Sequence, residues 1–467
     1  MQKKQFDQIT TKPEIIGPDG TVFVPAGGSS QATNTTEDLQ QIHNGGIAHH
    51  RYRCWTVLLF LTLVLSTAIP MRAASRVIGL VGSMFPQIGA QVGNPSWHTG
   101  RLWLVRLGYH KLMRPKPVAS DWAWLCDHSV QIGKEKCLVV LGIRLSSLPP
   151  RGVALAYEDM EPLAILVVTE STGAIVVEQL KTLTEQTGVP RMIAADGGSD
   201  LHAGIRLFLE SHAVTDYVYD MKHLTASILR GELKRDETWN EFTALAAKSS
   251  KELRQTEFAP LAPPNQRSKS RYMNLESLLN WATTTLALLR KHSVPYESLG
   301  FDRAEVLERL GWLRPFRSAI EQWHQAWQIS DLSTKFIASH GYFEGVSKSL
   351  RGRLAGIATT ALGKEVRTRV LDFVDEQERK VKPGERLLGS TEVLESLFGT
   401  FKRIEGNTKT GGFTQLALSI ASSVGPTTAD VIDEALSSVT CEDVRKWSEE
   451  MLGRTVHSKR TEVRSIT

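Results

Sequence analysis

Residues 121–132 read "DWAWLCDHSVQI" and residues 135–145 read "EKCLVVLGIRL". Both are runs of strand length, rich in aromatic, aliphatic and β-branched side chains, and the Gly-Lys between them supplies a turn, so they predict an antiparallel hairpin. "PLAILVVTEST" (162–172) reads as a third strand and "IVVEQLKTLTEQTG" (175–188) as a helix leading into a short apolar strand, "RMIAAD" (191–196). A helix ("SDLHAGIRLFLESH"), a fifth strand ("DYVYD") and another helix ("MKHLTASILRGEL") continue the alternation. One residue of the first strand does not fit a core. Asp127 sits among Trp122, Trp124, Leu125 and Cys126, where an unpaired charge costs several kcal/mol of desolvation.

Upstream the character changes. Residues 1–45 are poor in apolar side chains and read as a mostly disordered polar arm. Residues 46–118 read as helices. The apolar run Trp55 to Ile69 falls short of the roughly 20 residues a membrane span needs and is expected as a buried helix. From Leu39 to Ser120 there is no Asp or Glu but there are nine Lys or Arg, so the net charge of +5 belongs to this region and implies a polyanionic partner. On "SWHTGRLWLVRLGYHKLM" (96–113), Trp103, Leu104 and Leu107 share one side. That leaves His98 opposite and Arg101 and Arg106 on the flanks, as a helix docked into a DNA groove needs, and the region is expected to be a helix-turn-helix-like DNA-binding domain. Four cysteines without C-x-x-C spacing argue against a zinc ribbon or a disulfide framework and lead to the expectation of a cytoplasmic, nucleoid-associated protein.

Downstream, residues 226–385 are helical in pattern and hold five tryptophans, Trp239, Trp281, Trp312, Trp323 and Trp327, of which Trp323 and Trp327, at helical spacing, read as core residues. "NQRSKSRY", with Arg267, Lys269 and Arg271, is a candidate phosphate-contacting loop. "LGSTEVLESLFGTFKR" (388–403) reads as an amphipathic helix with Glu392 and Glu395 at its start and Lys402 and Arg403 at its end. Residues 407–467 read as a small helical C-terminal unit.

Asp196 closes the fourth strand before Gly197 and Gly198, which would bring it to one edge of the sheet beside Asp127. Two adjacent carboxylates repel each other unless a cation sits between them, and oxygen donors select Mg²⁺ or Mn²⁺ over zinc. A third acid allows a second ion, the arrangement that serves phosphodiester displacement. Glu395 can supply it, with Glu392 as the alternative donor, and Gly399 would leave room for a nucleic-acid backbone. Asp220 and His223, in "DMKH", close the fifth strand near the same edge as auxiliary candidates.

The chain here resembles the DDE transposases, the ribonuclease H-like recombinases of bacterial insertion sequences. The resemblance rests on "CDH" with Asp127, "AADGGSD" with Asp196 and "LESLFGTFK", similar to the glutamate, six residues, lysine ending of such enzymes, and covers roughly residues 121–403. It implies an α/β fold: a ribonuclease H-like mixed sheet (119–225, completed by a catalytic helix at 386–406) with a large all-α insertion at 226–385. It also implies that Asp127, Asp196 and Glu395 are catalytic ligands of two Mg²⁺ ions, that Lys402 and Arg403 contact DNA, and that the enzyme acts as a dimer or higher oligomer on double-stranded element ends and target. In one branch a tyrosine and an arginine precede the glutamate by seven and four residues; Leu388 and Thr391 stand there in this chain. The alternatives are a structure-specific nuclease of the same fold and a catalytically inactive DNA-binding regulator.

Overall fold

The computed structural model describes residues 15–16, 22–23, 47, 50–130, 135–149, 152–266, 271–290, 300–357, 360–406 and 412–452. Most of the polar arm, the Gly-Lys turn, Arg267 and Lys269 lie outside them. Within the arm, β1 (Ile15–Ile16) and β2 (Val22–Phe23) form a short antiparallel pair. Four helices follow: α1 (Cys54–Leu65), α2 (Met71–Met84), α3 (Pro86–Val92) and α4 (Trp97–Met113). No described helix is long and apolar enough to cross a membrane, and α1 buries Val57, Phe60, Leu61 and Val64 in the core instead.

The sheet is built from β3 (Trp122–Val130), β4 (Lys136–Arg144) and β5 (Glu161–Val168), then, after α5 (Gly173–Thr187), β6 (Met192–Ala195), α6 (Ser199–Ser211) and β7 (Asp216–Tyr219). Its order is β5-β4-β3-β6-β7, with β3–β4 and β4–β5 antiparallel and β3–β6 and β6–β7 parallel. This mixed α/β topology is compatible with a ribonuclease H-like fold carrying a helical insertion. The period of two along β3 divides its side chains cleanly. Trp122, Trp124 and Cys126 pack under α5 and α6 with Val176, Leu180 and Phe208, while Ala123 and Leu125 face the opposite core, the side to which Asp127 belongs.

The insertion comprises α7 (Met221–Leu233), α8 (Glu237–Leu253), α9 (Glu276–Arg290), α10 (Arg303–Leu310), α11 (Arg317–His340), α12 (Val346–Leu354) and α13 (Ala361–Glu378). Four of the tryptophans are tied into its interior: Trp239 and Trp323 meet edge to face at 4.9 Å, Trp281 and Trp312 lie 6.2 Å apart, and Trp323 Nε1 donates to Asp236, which caps α8. Trp327 is half-buried at the wall of a cleft. The chain returns through an isolated bridge, Tyr342 to Leu387, into α14 (Glu392–Glu405). Gly389, on that return, lies against Ile337 so closely that a Cβ would come within 2.2 Å of its side chain.

The last helices are α15 (Leu418–Ser423), α16 (Ala429–Ser438) and α17 (Cys441–Met451). They do not stand apart as a terminal unit; they enclose α4 together with α1, α2 and β5. For the same reason α4 is largely buried, with His98, Leu102 and Met113 left exposed. Gly108 sits at its crossing with α15, where a Cβ would come within 2.0 Å of Leu418 O. Arg106 donates to Leu436 O and Val439 O, capping the carboxyl end of α16. Lys111 is fully buried, its ammonium donating to Ser422 O, Val424 O, Gly425 O and Thr427 Oγ1. Burial, then the neighbouring Arg114 and Lys116 charges against that of Glu161, pulls this lysine down to about 7, but four oxygen acceptors around one nitrogen favour the charged form. A basic residue read from sequence as facing a polyanion thus pairs with the chain's own carbonyls.

Candidate active site

Register brings the two aspartates together. Cys126 pairs with Ala195 across the parallel β3–β6 ladder, so the next residues, Asp127 and Asp196, leave adjacent strands at the same edge. Asp127 Oδ1 accepts from the His128 amide at 2.6 Å and Asp196 Oδ1 from the Gly198 amide at 3.1 Å. Burial, then the neighbouring Asp196 charge, pushes the Asp127 carboxyl up to about 7, with a smaller contribution of the same sign from Glu395. A carboxylate that its surroundings discourage from ionising marks a functional-site candidate.

Glu395 comes to this edge on the first turn of α14, which packs on β3. Its apolar stripe, Leu394, Leu397, Phe398 and Phe401, is buried, while Lys402 and Arg403 are exposed in the last turn. Acids first and bases last also suit the helix dipole. Gly399 faces open space, where a Cβ would meet nothing. The amino end of α14 is held by Asp220, which is buried and accepts from Thr391 N at 2.6 Å, Thr391 Oγ1 at 3.0 Å and His223 N at 2.9 Å. One carboxylate therefore joins the starts of α7 and α14. Leu388 and Thr391 are both buried.

Both oxygens of Glu395 are occupied. Lys222 Nζ lies 2.6 Å from Oε2 and His223 Nε2 3.2 Å from Oε1. The His223 bond, opposed by burial and reinforced by Lys222, holds the Glu395 carboxyl down to about 2. The histidine rises in return: burial alone would lower it, and the Glu395 bond with the charges of Asp220 and Asp196 outweighs that. Among the described residues no three His, Cys, Asp or Glu side chains stand together closely enough to hold a metal ion. The Asp127–Asp196 edge nevertheless fits a hard cation. Its donors are oxygens, its charges repel, and among the described residues the cation that acts on both aspartates is His223, which is itself bound to Glu395.

The remaining candidates separate from this cluster. His98 is exposed at the start of α4, Arg101 is partly buried in the same helix, and the backbone of Arg271 begins a single 3-10 turn. His128, on the other face of β3, lies 3.7 Å from Asp200, which also accepts from Lys136 at 2.8 Å. Glu392 is exposed and lines a cleft of about 840 Å³ with Tyr157, Lys222, Trp327 and Ser396. Sequence reasoning missed Lys222 and Thr391. Lys222 had a visible signal in its place between Asp220 and His223 at a helix start, whereas Thr391 acquires its role only through a partner 171 residues away.

No family model matches the chain, and no curated protein does. Among solved structures, the Drosophila P element transposase strand transfer complex aligns over 88% of this chain and 98% of that one, at 11% identity and a TM-score of 0.38.

Proposed function

We propose that this protein is a DNA transposase of the DDE type, cleaving one strand at element ends and transferring it into target DNA. The observation that carries the reading is the placing of Asp127 and Asp196 side by side by the β3–β6 register, with Glu395 on α14, 199 residues after Asp196, near enough for its charge to act on Asp127. In this reading the three acids hold two Mg²⁺ or Mn²⁺ ions, which would activate the attacking oxygen and stabilise the leaving one. The protein's own part is positioning and electrostatics. Asp220 ties the start of α14 to that of α7, His223 orients Glu395, and Lys402 with Arg403, exposed further along α14, meets phosphates of the element end. Two ends must be held at once, which calls for a homodimer or higher oligomer.

Labelled element ends offered with a supercoiled target and Mg²⁺ test this. Joined products are expected; hydrolysis without joining would assign a nuclease, and activity surviving Asp127→Asn would remove the site altogether.

A further inference from the structure

Glu395 faces two sets of groups. On one side is Asp127, whose carboxyl burial and the charges of Asp196 and Glu395 push up; on the other is Lys222, a cation. With Nζ 2.6 Å from Oε2 and the His223 ring on Oε1, the carboxylate is fully engaged by the chain's own donors. A flexible lysine suits an exchangeable contact better than an arginine would, because its single charge rides on a four-carbon stem and makes no bidentate fork. The side chain is 30% exposed and lines the adjoining cleft beside Tyr157, Glu392 and Ser396, so it has somewhere to go. The other lysine of that cleft, Lys335, is held by Asp331 at 2.7 Å.

We propose that Lys222 is an internal counter-ion that occupies Glu395 while the site is empty of metal and yields it to a divalent ion, retreating into the cleft. This rests on the metal-site reading above. A doubly charged ion attracts a carboxylate more strongly than an ammonium at similar distance, so the exchange runs in the ion's favour. Lys222 therefore competes with the metal. Its presence sets a threshold ion concentration below which the third ligand stays withdrawn.

Calorimetric titration of Mn²⁺ into the full-length protein, without DNA, tests the competition apart from turnover. Lys222→Met should bind Mn²⁺ about ten-fold more tightly than wild type, a difference of about 1.4 kcal/mol, and Lys222→Arg should bind it no more tightly than wild type. Thermal unfolding establishes that each variant is folded, and Lys222→Gln replaces the Met variant if that one is not. Equal or weaker binding in the folded Met or Gln variant overturns the counter-ion role and leaves the metal site standing. Absence of Mn²⁺ binding by wild type, or binding undiminished in Asp127→Asn, overturns the metal site itself.

Discussion

The two ends of β6 and β7 handle charge in opposite ways. Where the strands begin, Arg191 is 5% exposed and saturated: it donates to Glu385 through Nε and Nη2 at 2.7 Å each, to Lys380 O, and to Asp216. Where they finish, Asp127 and Asp196 receive backbone amides, and the one acid with cationic partners is Glu395. The first end is complete without any visitor. The second is complete only as protein, with a surplus of negative charge that a substrate-bound cation would relieve. A single short sheet thus has a fully paired rim and a rim of unbalanced acids, and each rim can be disturbed separately.

The largest effect is expected at the finishing rim. Asp127→Asn should lower strand cleavage and joining by about 10³-fold, measured with labelled ends, while leaving the metal-free melting temperature unchanged or slightly raised, since it removes a carboxylate that burial and Asp196 already penalise. If cleavage and stability fall together, the division between rims fails. At the beginning rim, Arg191→Met should do the reverse. It strands Glu385 and Asp216, and urea unfolding should show a loss of about 3–5 kcal/mol, with metal affinity retained in whatever fraction stays folded.

Lys111→Met probes a third place, where burial and complete pairing coincide outside the sheet. Three carbonyls and a hydroxyl lose their donor, and a loss of about 3 kcal/mol is expected in the same unfolding assay. The smallest effect belongs to Asp200. Lys136, Ser171 and His128 outweigh burial and hold its carboxyl down to about 2, below the ordinary 3.8. Its contribution, about 1 kcal/mol, is therefore present above about pH 4 and disappears as pH falls toward 2. Unfolding curves of wild type and Asp200→Asn should differ at pH 6 and converge in that acid window.

These contrasts also show which parts of the molecule were legible in the sequence. The five strands and their order were, because strand periodicity and the alternation with helices are local signals. The position of Asp127 inside an apolar strand and of Asp196 just past the end of another was also legible, since both depend on local pattern alone. The tryptophan-rich insertion was legible as helix and mostly as core. The role of α4 was not: its arginine and lysine look outward-facing by composition, and only residues 422–439, more than 300 positions later, turn them inward. The Arg191 network and the Asp220–Thr391 clasp escaped notice for the same reason, since each joins segments over 170 residues apart.

The enclosure of α4 also has a temporal consequence. Lys111 leaves the ribosome 311 residues before its first acceptor, Ser422, a delay of roughly 15–60 s at ordinary rates of synthesis. Through that interval the Lys111 ammonium lacks all four of its acceptors, while α1, α2 and β5 already supply neighbours to other parts of α4. Completion of the core around α4 is thereby tied to the arrival of the carboxyl-terminal helices, so that a truncated translation product would carry Asp127, Asp196 and Glu395 and still leave Lys111 without its partners.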